Sequence, residues 1–301
     1  MRLEPPQSGR QFAAATIDEA VRGATDTLRR AGIEGAGREA RLLVAAATAE
    51  APLALLAEPH RTLTPRAAAA LAAMLARRTA REPISRILGT RGFYGRDFEI
   101  SPDVLDPRPE TETVVDAALS IAAEEGWIDT PIRILDIGTG SGCLLVTLLA
   151  ELPLAAGLGT DISPTALSVA RANARRHGVD SRARWQQARA LAGVSGVFDL
   201  VVSNPPYVAS DDIGRLEPEV RLHDPWIALD GGRDGLQVYR EILAGLSHAT
   251  VDGWVLFEVG AGQAGPVTDL IRKTLSGRQC SVRTSCDLAG QIRCVAWKAR
   301  A

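Results

Sequence analysis

The sequence lacks any apolar run approaching the roughly 18 residues that a membrane-spanning helix requires. It has only four cysteines, Cys143, Cys280, Cys286 and Cys294, with no C-x-x-C pair and no histidine nearby in sequence to complete a zinc site. These read as reduced core or strand residues, so neither a disulfide framework nor a structural metal is expected. No excess of charge is present either: 34 basic side chains stand against 36 acidic ones, a net charge of -2. The chain therefore lacks the basic footprint that duplex nucleic-acid binders carry. The first residues, MRLEPPQSGRQF, have no apolar core and no small-residue cleavage site, which excludes a secretory signal there and makes a cytoplasmic location the expectation. Internal repeats are missing, as is any low-complexity segment beyond a bias to alanine. What remains is ordinary globular composition, 46% hydrophobic and 23% charged over 301 residues. That length suffices for two domains, or for one large domain with an attachment.

Residues 1 to about 85 are Ala-rich and read as a small helical bundle. Thr16 and Glu19 have the spacing of a capping box before Val21, Ala24, Leu28 and Ala31, and Gly32 closes that helix. A second helical segment runs from Arg38 to Glu50, and Thr64-Pro65 opens a third that carries Ala68, Leu71 and Leu75 on one face. Arg77, Arg78 and Arg81 form a basic cluster that reads as a solvated helix face. From Pro83 to Asp106 the pattern changes to short extended pieces, "ISRILG", "GFYGRDFEIS" and "DVLDP", punctuated by Gly89, Gly92, Gly95 and Pro102, as in a hairpin linker.

After the linker, strand and helix alternate. Strands are expected at Ile132 to Ile137, Ala156 to Asp161, Leu200 to Ser203 and Trp254 to Val259, with helices at Gly142 to Leu152 and Ser163 to His177. This argues for an α/β fold with a doubly wound, mostly parallel sheet. "QCSVRTSCDLAGQIRCVAWKA" reads as two further strands around a turn at Gly290, an antiparallel edge.

"ILDIGTGSGC" sets Gly138, Gly140 and Gly142 between a strand and a helix, where missing side chains let a ligand approach the backbone. A dinucleotide fingerprint needs G-x-G-x-x-G. Here the spacing is G-x-G-x-G, and Cys143 stands where the third glycine would fall. The loop also begins at Asp136, a carboxylate poorly placed beside a pyrophosphate. A cofactor with no phosphate and a cationic amino-acid end fits better, and S-adenosyl-L-methionine is such a molecule. Asp161 ends the next strand about twenty residues on, where a carboxylate can accept from both hydroxyls of a ribose. As a cap for the helix that follows at Ser163-Pro164, it would be structural instead.

"DLVVSNPPYV" places Asn204, Pro205, Pro206 and Tyr207 at the carboxyl end of a core strand, the side on which open α/β sheets bind ligands. Pro205 holds Asn204 extended and contributes no N–H. The Asn204 side-chain oxygen and the Pro205 carbonyl can each accept one hydrogen from a planar NH2 group. An amide or exocyclic amino nitrogen is a poor nucleophile, so orientation must supply much of the catalysis. Holding nitrogen and methyl carbon in line at about 3 to 3.5 Å is worth on the order of 7 to 11 kcal/mol, and two acceptors that draw out lone-pair density add to it. A dedicated base is unnecessary, because a methylated amide cation is acidic enough to lose its proton to water. Tyr207 is expected to wall the pocket and pack on the flat acceptor group.

Together these features resemble class I S-adenosylmethionine-dependent methyltransferases of the N-P-P-Y type, and specifically the PrmC/HemK family of peptide chain release factor glutamine methyltransferases. N-P-P-Y alone is shared with amino-methyltransferases of nucleic acids. The narrower likeness rests on "REPISRILGTRGFYGRDFEISPDVLDPRPETE" (81–112), "LEPEVRLHDPWIALDGGRDGLQVYREIL" (216–243) and "FEVGAGQ" (257–263). The resemblance implies a Rossmann-like class I methyltransferase domain over 107–301, a hairpin linker over 86–106, and a helical substrate-docking domain over 1–85. It implies cofactor contacts from Gly138, Thr139, Gly140, Ser141, Gly142, Asp161, Arg189 and Asn204, and a glutamine amide held by Asn204, Pro205, Pro206 and Tyr207. Pro107, Arg108, Pro109, Glu110 and Thr111 would shape the cofactor side of the pocket. The implied substrate is the glutamine of the Gly-Gly-Gln tripeptide in class I release factors, methylated by a monomer with no stable nucleic-acid or membrane partner.

Two positions depart from the family. "WQQARALAG" puts Ala188 and Arg189 where relatives carry an Asp and a large residue bordering the adenine, and Asp106 stands where an apolar residue is common. For Asp106 a surface or capping role is the default. Rival readings are a glutamine methyltransferase acting on a ribosomal protein and an amino-methyltransferase of DNA or RNA acting on a flipped base. A dehydrogenase on the same fold is opposed by the glycine spacing, and a non-catalytic scaffold by the intact N-P-P-Y.

Overall fold

The structure, a computed structural model, describes residues 12–246, 250–274 and 281–299. Contacts divide the chain into two units, the first ending at Gly89 and the second beginning at Thr90. Cys280 lies outside the described residues.

In the first unit, α1 (Ile17–Arg30) starts at the expected capping box: the Glu19 N–H donates to Thr16 Oγ1 at 3.3 Å, and the Thr16 N–H donates to Glu19 Oε2 at 2.8 Å. Gly32, at φ +69°, ends it. α2 (Ala36–Thr48) and α3 (Pro65–Thr79) complete the bundle, the latter capped by Thr64 Oγ1, which accepts from the Ala67 N–H at 3.2 Å. Ala20, Ala24, Leu28, Ala40, Leu43 and Leu71 are fully buried between the helices, and the small alanines allow close axial approach.

Two expectations fail in this unit. "ISRILG" is not extended but forms α4 (Ile84–Leu88), entered from Pro83 and closed by Gly89 at φ +73°. Proline before and glycine after are helix punctuation, and Ile87 buries into the bundle core. The basic cluster is a solvated face only in part, since Arg77 is exposed but Arg78 is not. Arg78 is buried and donates to Glu39 of α2 at 2.6 Å, while Arg77 pairs with Glu82.

The second unit opens with the expected hairpin, β1 (Thr90–Phe93) and β2 (Arg96–Glu99), turned by Tyr94 and Gly95, both at positive φ. "DVLDP" adds no strand. There follow α5 (Glu112–Glu124), β3 (Arg133–Ile137), α6 (Cys143–Glu151), β4 (Ala156–Asp161), α7 (Pro164–Arg176), β5 (Ala183–Gln187), β6 (Val197–Ser203), α8 (Pro218–His223), α9 (Gln237–Leu246), β7 (Thr250–Glu258), α10 (Ala264–Thr274), β8 (Val282–Cys286) and β9 (Ile292–Ala299). The seven-stranded sheet has the order β5-β4-β3-β6-β7-β9-β8. β3 to β7 run parallel, and β9 and β8 add antiparallel pairings beyond β7. Alternate residues feed two apolar layers. Ile134, Leu200, Val202 and Leu256 belong to one, and Leu135, Val201, Val255 and Phe257 to the other, as in a sheet covered on both faces. No helix among the described residues is long and apolar enough to cross a membrane.

Candidate active site

The register of the sheet builds the site. Ile137 of β3 lies opposite Thr160 of β4 and Ser203 of β6, and Ser203 lies opposite Phe257 of β7. The next residue on each strand is therefore Asp161, Gly138, Asn204 and Glu258, one row at the carboxyl ends of four parallel strands. Strand spacing puts Asp161 and Asn204 about 10 Å apart across that row.

A cavity of about 440 Å³ opens over the row. It is lined by Gly138, Thr139, Gly140, Ser141, Asp161, Arg189, Asn204, Pro205 and Pro206, so most of the expected site residues come together. Gly138 and Gly140 have φ of +72° and +55°, and a side chain on either would project into open space. The N–H groups of Gly138 and Thr139 both donate to Thr160 O at 2.8 Å, tying the loop to the end of β4. Gly142 does not line the cavity. At φ +80° it caps α6, and a Cβ there would stand 3.0 Å from Ala170 Cβ, so this glycine serves helix packing.

Asp161 lines the cavity with both oxygens already engaged. Oδ2 accepts from the Gly140 N–H and Oδ1 from the Ser163 N–H, each at 2.9 Å. Burial pushes its carboxyl above the usual range, and these backbone donors pull it back. The cap of α7 is Ser163, whose Oγ accepts from the Ala166 N–H. Behind the loop, Asp136 is buried and accepts from the Thr139 hydroxyl at 2.6 Å, and burial raises its carboxyl to about 7.

At the other end, Asn204 Nδ2 donates to Thr111 Oγ1 at 3.2 Å. Its Oδ1 has no hydrogen-bond partner among the described residues, and Asn204 lines the cavity. Pro205 is buried and also lines the cavity. Tyr207 departs from expectation: it is not among the cavity-lining residues. Its ring packs against the core layer that holds Tyr239 and Phe257, and its hydroxyl donates to Glu258 Oε1 at 3.5 Å. Burial raises the Tyr207 hydroxyl well above its ordinary value. The Gln263 side chain donates to Tyr207 O at 2.9 Å, and Gly235 packs so close that a Cβ would come within 2.4 Å of that oxygen.

Pro107, Arg108 and Thr111 line the cavity, whereas Pro109 and Glu110 do not. Arg108 forms an ion pair with buried Asp224, which ties the "PRPE" segment to "HDPW". Asp106 is not at the surface. It is buried, with its N–H donating to Asp224 Oδ1 and its carboxylate beside Arg91. Arg189 is exposed and forms a two-pronged pair with Glu241 of α9 at 3.0 and 2.8 Å. Glu241 and the exposed Trp226 and Ile227 also line the cavity, and none was singled out from sequence. "LHDPWIALDGG" was the available signal, but it carries no residue types that announce chemistry. Acidic lining residues (Asp103, Asp161, Asp230, Glu241) outnumber the two arginines, both of which are paired. Such a lining suits a cationic ligand better than a polyphosphate. Among the described residues no cluster of His, Cys, Asp and Glu is placed to hold a metal ion.

Comparisons with known proteins point to a family. Residues 19–89 match the family profile "PrmC N-terminal domain", and residues 118–216 match "Methyltransferase small domain". The release factor glutamine methyltransferase of Rhodospirillum rubrum is 47% identical over 275 residues, covering 91% of this chain and 82% of that protein. Its counterpart in Cereibacter sphaeroides is 44% identical over 92% of this chain and 96% of the relative. Among solved structures, the catalytic domain of hMettl16 in complex with a MAT2A 3'UTR hairpin superposes with a TM-score of 0.52 at 16% identity, over 76% of this chain and 81% of that one. At that identity the likeness concerns the fold, the Rossmann-like class I methyltransferase sheet. With identity above 40% over nine-tenths of its length, the chain is a methyltransferase that belongs to the release factor glutamine methyltransferase family.

Proposed function

We propose that this enzyme transfers a methyl group from S-adenosyl-L-methionine to the side-chain amide nitrogen of the glutamine in the Gly-Gly-Gln tripeptide of class I release factors. The observation that carries the reading is the orientation of Asn204. With Nδ2 engaged by Thr111, Oδ1 is an acceptor at the cavity wall. A substrate NH2 with two hydrogens fits two acceptors, Asn204 Oδ1 and the Pro205 carbonyl. A group held that way cannot rotate, and its nitrogen is presented to the donor with its lone pair exposed.

The cofactor end is supported by the cradle at Gly138 and Gly140, where any Cβ would enter the cavity, and by Asp161, whose oxygens keep lone pairs free for two ribose hydroxyls. When bound, S-adenosyl-L-methionine supplies an electrophilic methyl group. Asp161 would hold its ribose, the Gly138–Gly140 backbone would seat its amino-acid end, and Arg189 with Glu241 would border the base. Tyr207 serves this reading as a brace for the Asn204-Pro205 turn, fixed by Gln263 and Glu258, more than as a wall. The helical unit is assigned the docking of the release factor, since it carries no constellation of catalytic type. The nucleic-acid reading loses its basic surface once Arg77 and Arg78 are ion paired.

The test is methylation of a purified class I release factor with radiolabelled methyl donor, alongside the same factor with the tripeptide glutamine changed to alanine. Label on the first and none on the second is the expected result. Label on both places the acceptor elsewhere, and label on neither, with a ribosomal protein or nucleic acid labelled when a cell lysate is offered instead, replaces the reading.

A further inference from the structure

Trp226 and Ile227 are 57% and 55% exposed, side by side in a single 3-10 turn (Trp226–Ala228), and both line the same cavity as Asn204. Scattered apolar residues are ordinary on a protein surface and need no account. This pair differs in being adjacent, at a cavity mouth and held in place. The Trp226 indole N–H donates to Asp230 Oδ2 at 3.3 Å, and the other oxygen of Asp230 accepts from the Ser210 hydroxyl at 2.6 Å and from the Gly232 N–H at 2.9 Å. An indole tied at its N–H presents one orientation to solvent, so the ordering of that side chain precedes any ligand.

The segment that carries the pair is pinned at both ends to the surroundings of Asn204. Upstream, Asp224 pairs with the Arg108 guanidinium and accepts from the Asp106 N–H, and Arg108 stands three residues before Thr111, the partner of Asn204 Nδ2. Downstream, the Val208 N–H donates to Leu229 O at 3.0 Å and the Gly231 N–H donates to Val208 O at 2.8 Å, and Val208 stands four residues after Asn204. Trp226 and Ile227 therefore form a lip on the Asn204 side of the cavity, while Gly138, Gly140 and Asp161 line the side formed by β3 and β4.

We infer that Trp226 and Ile227 are the subsite for the two glycines that precede the acceptor glutamine, and that Trp226 selects for glycine there. The inference rests on the proposed release-factor substrate. A peptide whose glutamine side chain reaches Asn204 carries its preceding residues out over the rim of the cavity, where the lip is the exposed apolar surface. Glycine has no Cβ, so a Gly-Gly backbone can lie flat on an aromatic face at van der Waals distance. A Cβ on the ring side would lift the backbone away and forfeit those contacts, because dispersion falls steeply with separation. Ile227 flanks the indole and covers the edge of the same peptide.

The experiment measures kcat and KM with a purified class I release factor for wild type, Trp226→Ala, Trp226→Phe and Ile227→Ser, with cofactor Kd by calorimetry. Each is repeated with release factors that carry Gly→Ala at the first or second position of the tripeptide. Trp226→Ala should raise KM for the normal factor roughly 10- to 100-fold, with cofactor Kd and kcat at saturation within about threefold, and Trp226→Phe should recover most of the loss. Ile227→Ser should raise KM by a smaller factor, roughly 3- to 10-fold. Wild type should prefer glycine to alanine by about tenfold or more in kcat/KM, and Trp226→Ala should reduce that preference to about threefold or less. An unchanged KM in Trp226→Ala, or a glycine preference that survives it intact, overturns the inference, while methylation of the normal factor by wild type still upholds the reading beneath it. Cofactor Kd weakened in step with KM would set the indole against the cofactor and would also overturn the inference. No label on the normal factor with wild-type enzyme is the failure of the reading itself, and the inference falls with it.

Discussion

The two units differ in where they leave buried charge without a counter-ion. In the helical unit, buried Arg78 meets Glu39 directly, and the core is alanine and leucine in regular helix. In the sheet unit, buried Asp224 likewise meets Arg108, but Asp136 and Glu258 are buried without a cation in contact, and positive-φ glycines cluster at the mouth of a cavity. A region that must hold a ligand tolerates raised carboxyls and places glycine where the backbone turns at positive φ. The contrast predicts that damage to the first unit should appear as lost stability or slower recognition, and damage to the second as lost binding or turnover.

The largest expected effect is Asn204→Ala, which should reduce methyl transfer by about a hundredfold or more while cofactor affinity changes only a few-fold. Single-turnover assays beside calorimetry check it, and near-normal turnover would sink the mechanism. Next comes Arg78→Ala, which opens a cavity at a buried side chain and leaves half-buried Glu39 without its partner, and should destabilise the helical unit by about 2 to 4 kcal/mol. Denaturant unfolding should show that loss with cofactor Kd unaltered, and a changed Kd would break the division of labour between the units. Asp161→Ala should weaken cofactor binding by about 1.5 to 3 kcal/mol, since a charged acceptor is removed. A folded variant with unchanged Kd would take Asp161 out of the site.

Gly142→Ala should cost about 1 to 2 kcal/mol of stability because a Cβ at positive φ is strained. It should have little effect on binding, and a large loss of cofactor affinity would show that this glycine serves the ligand after all. The smallest effect concerns pH. Glu258 has its carboxyl raised in the fold from an ordinary 4.5 to about 7, so between those values the native state keeps a proton that the unfolded chain has released. That contribution to stability is present at low pH and is lost as pH rises through 7. Glu258→Gln should therefore gain stability relative to wild type at pH 8 and gain less at pH 5. Thermal denaturation at the two pH values reads the difference, and an equal or reversed shift would show that Glu258 is not strained by burial.

Local signals were legible where the responsible residues lie within a few positions of one another. The capping box at Thr16, the Thr64-Pro65 start, the strand–glycine–helix at 133–151 and the extended Asn204 before Pro205 all depend on backbone dihedrals and near neighbours, and the sequence alone determined them. It also determined that Asp161 and Asn204 end parallel strands, since the alternation of elements fixes which strand ends share a side of the sheet.

Only the tertiary structure decided that Gly142 packs against Ala170 while Gly138 and Gly140 face the cavity, because identical residues in one loop differ only in what surrounds them. The partners of Asn204, Arg189 and Arg78 are Thr111, Glu241 and Glu39, separated from them by 93, 52 and 39 positions. Tyr207 likewise read from sequence as a pocket wall, yet it packs on the core and its hydroxyl meets Glu258, 51 residues away on the neighbouring strand. A side chain's local sequence states what it can donate or accept. Which group answers it follows from register and packing across the whole sheet, and those are decided by the burial of both apolar layers at once.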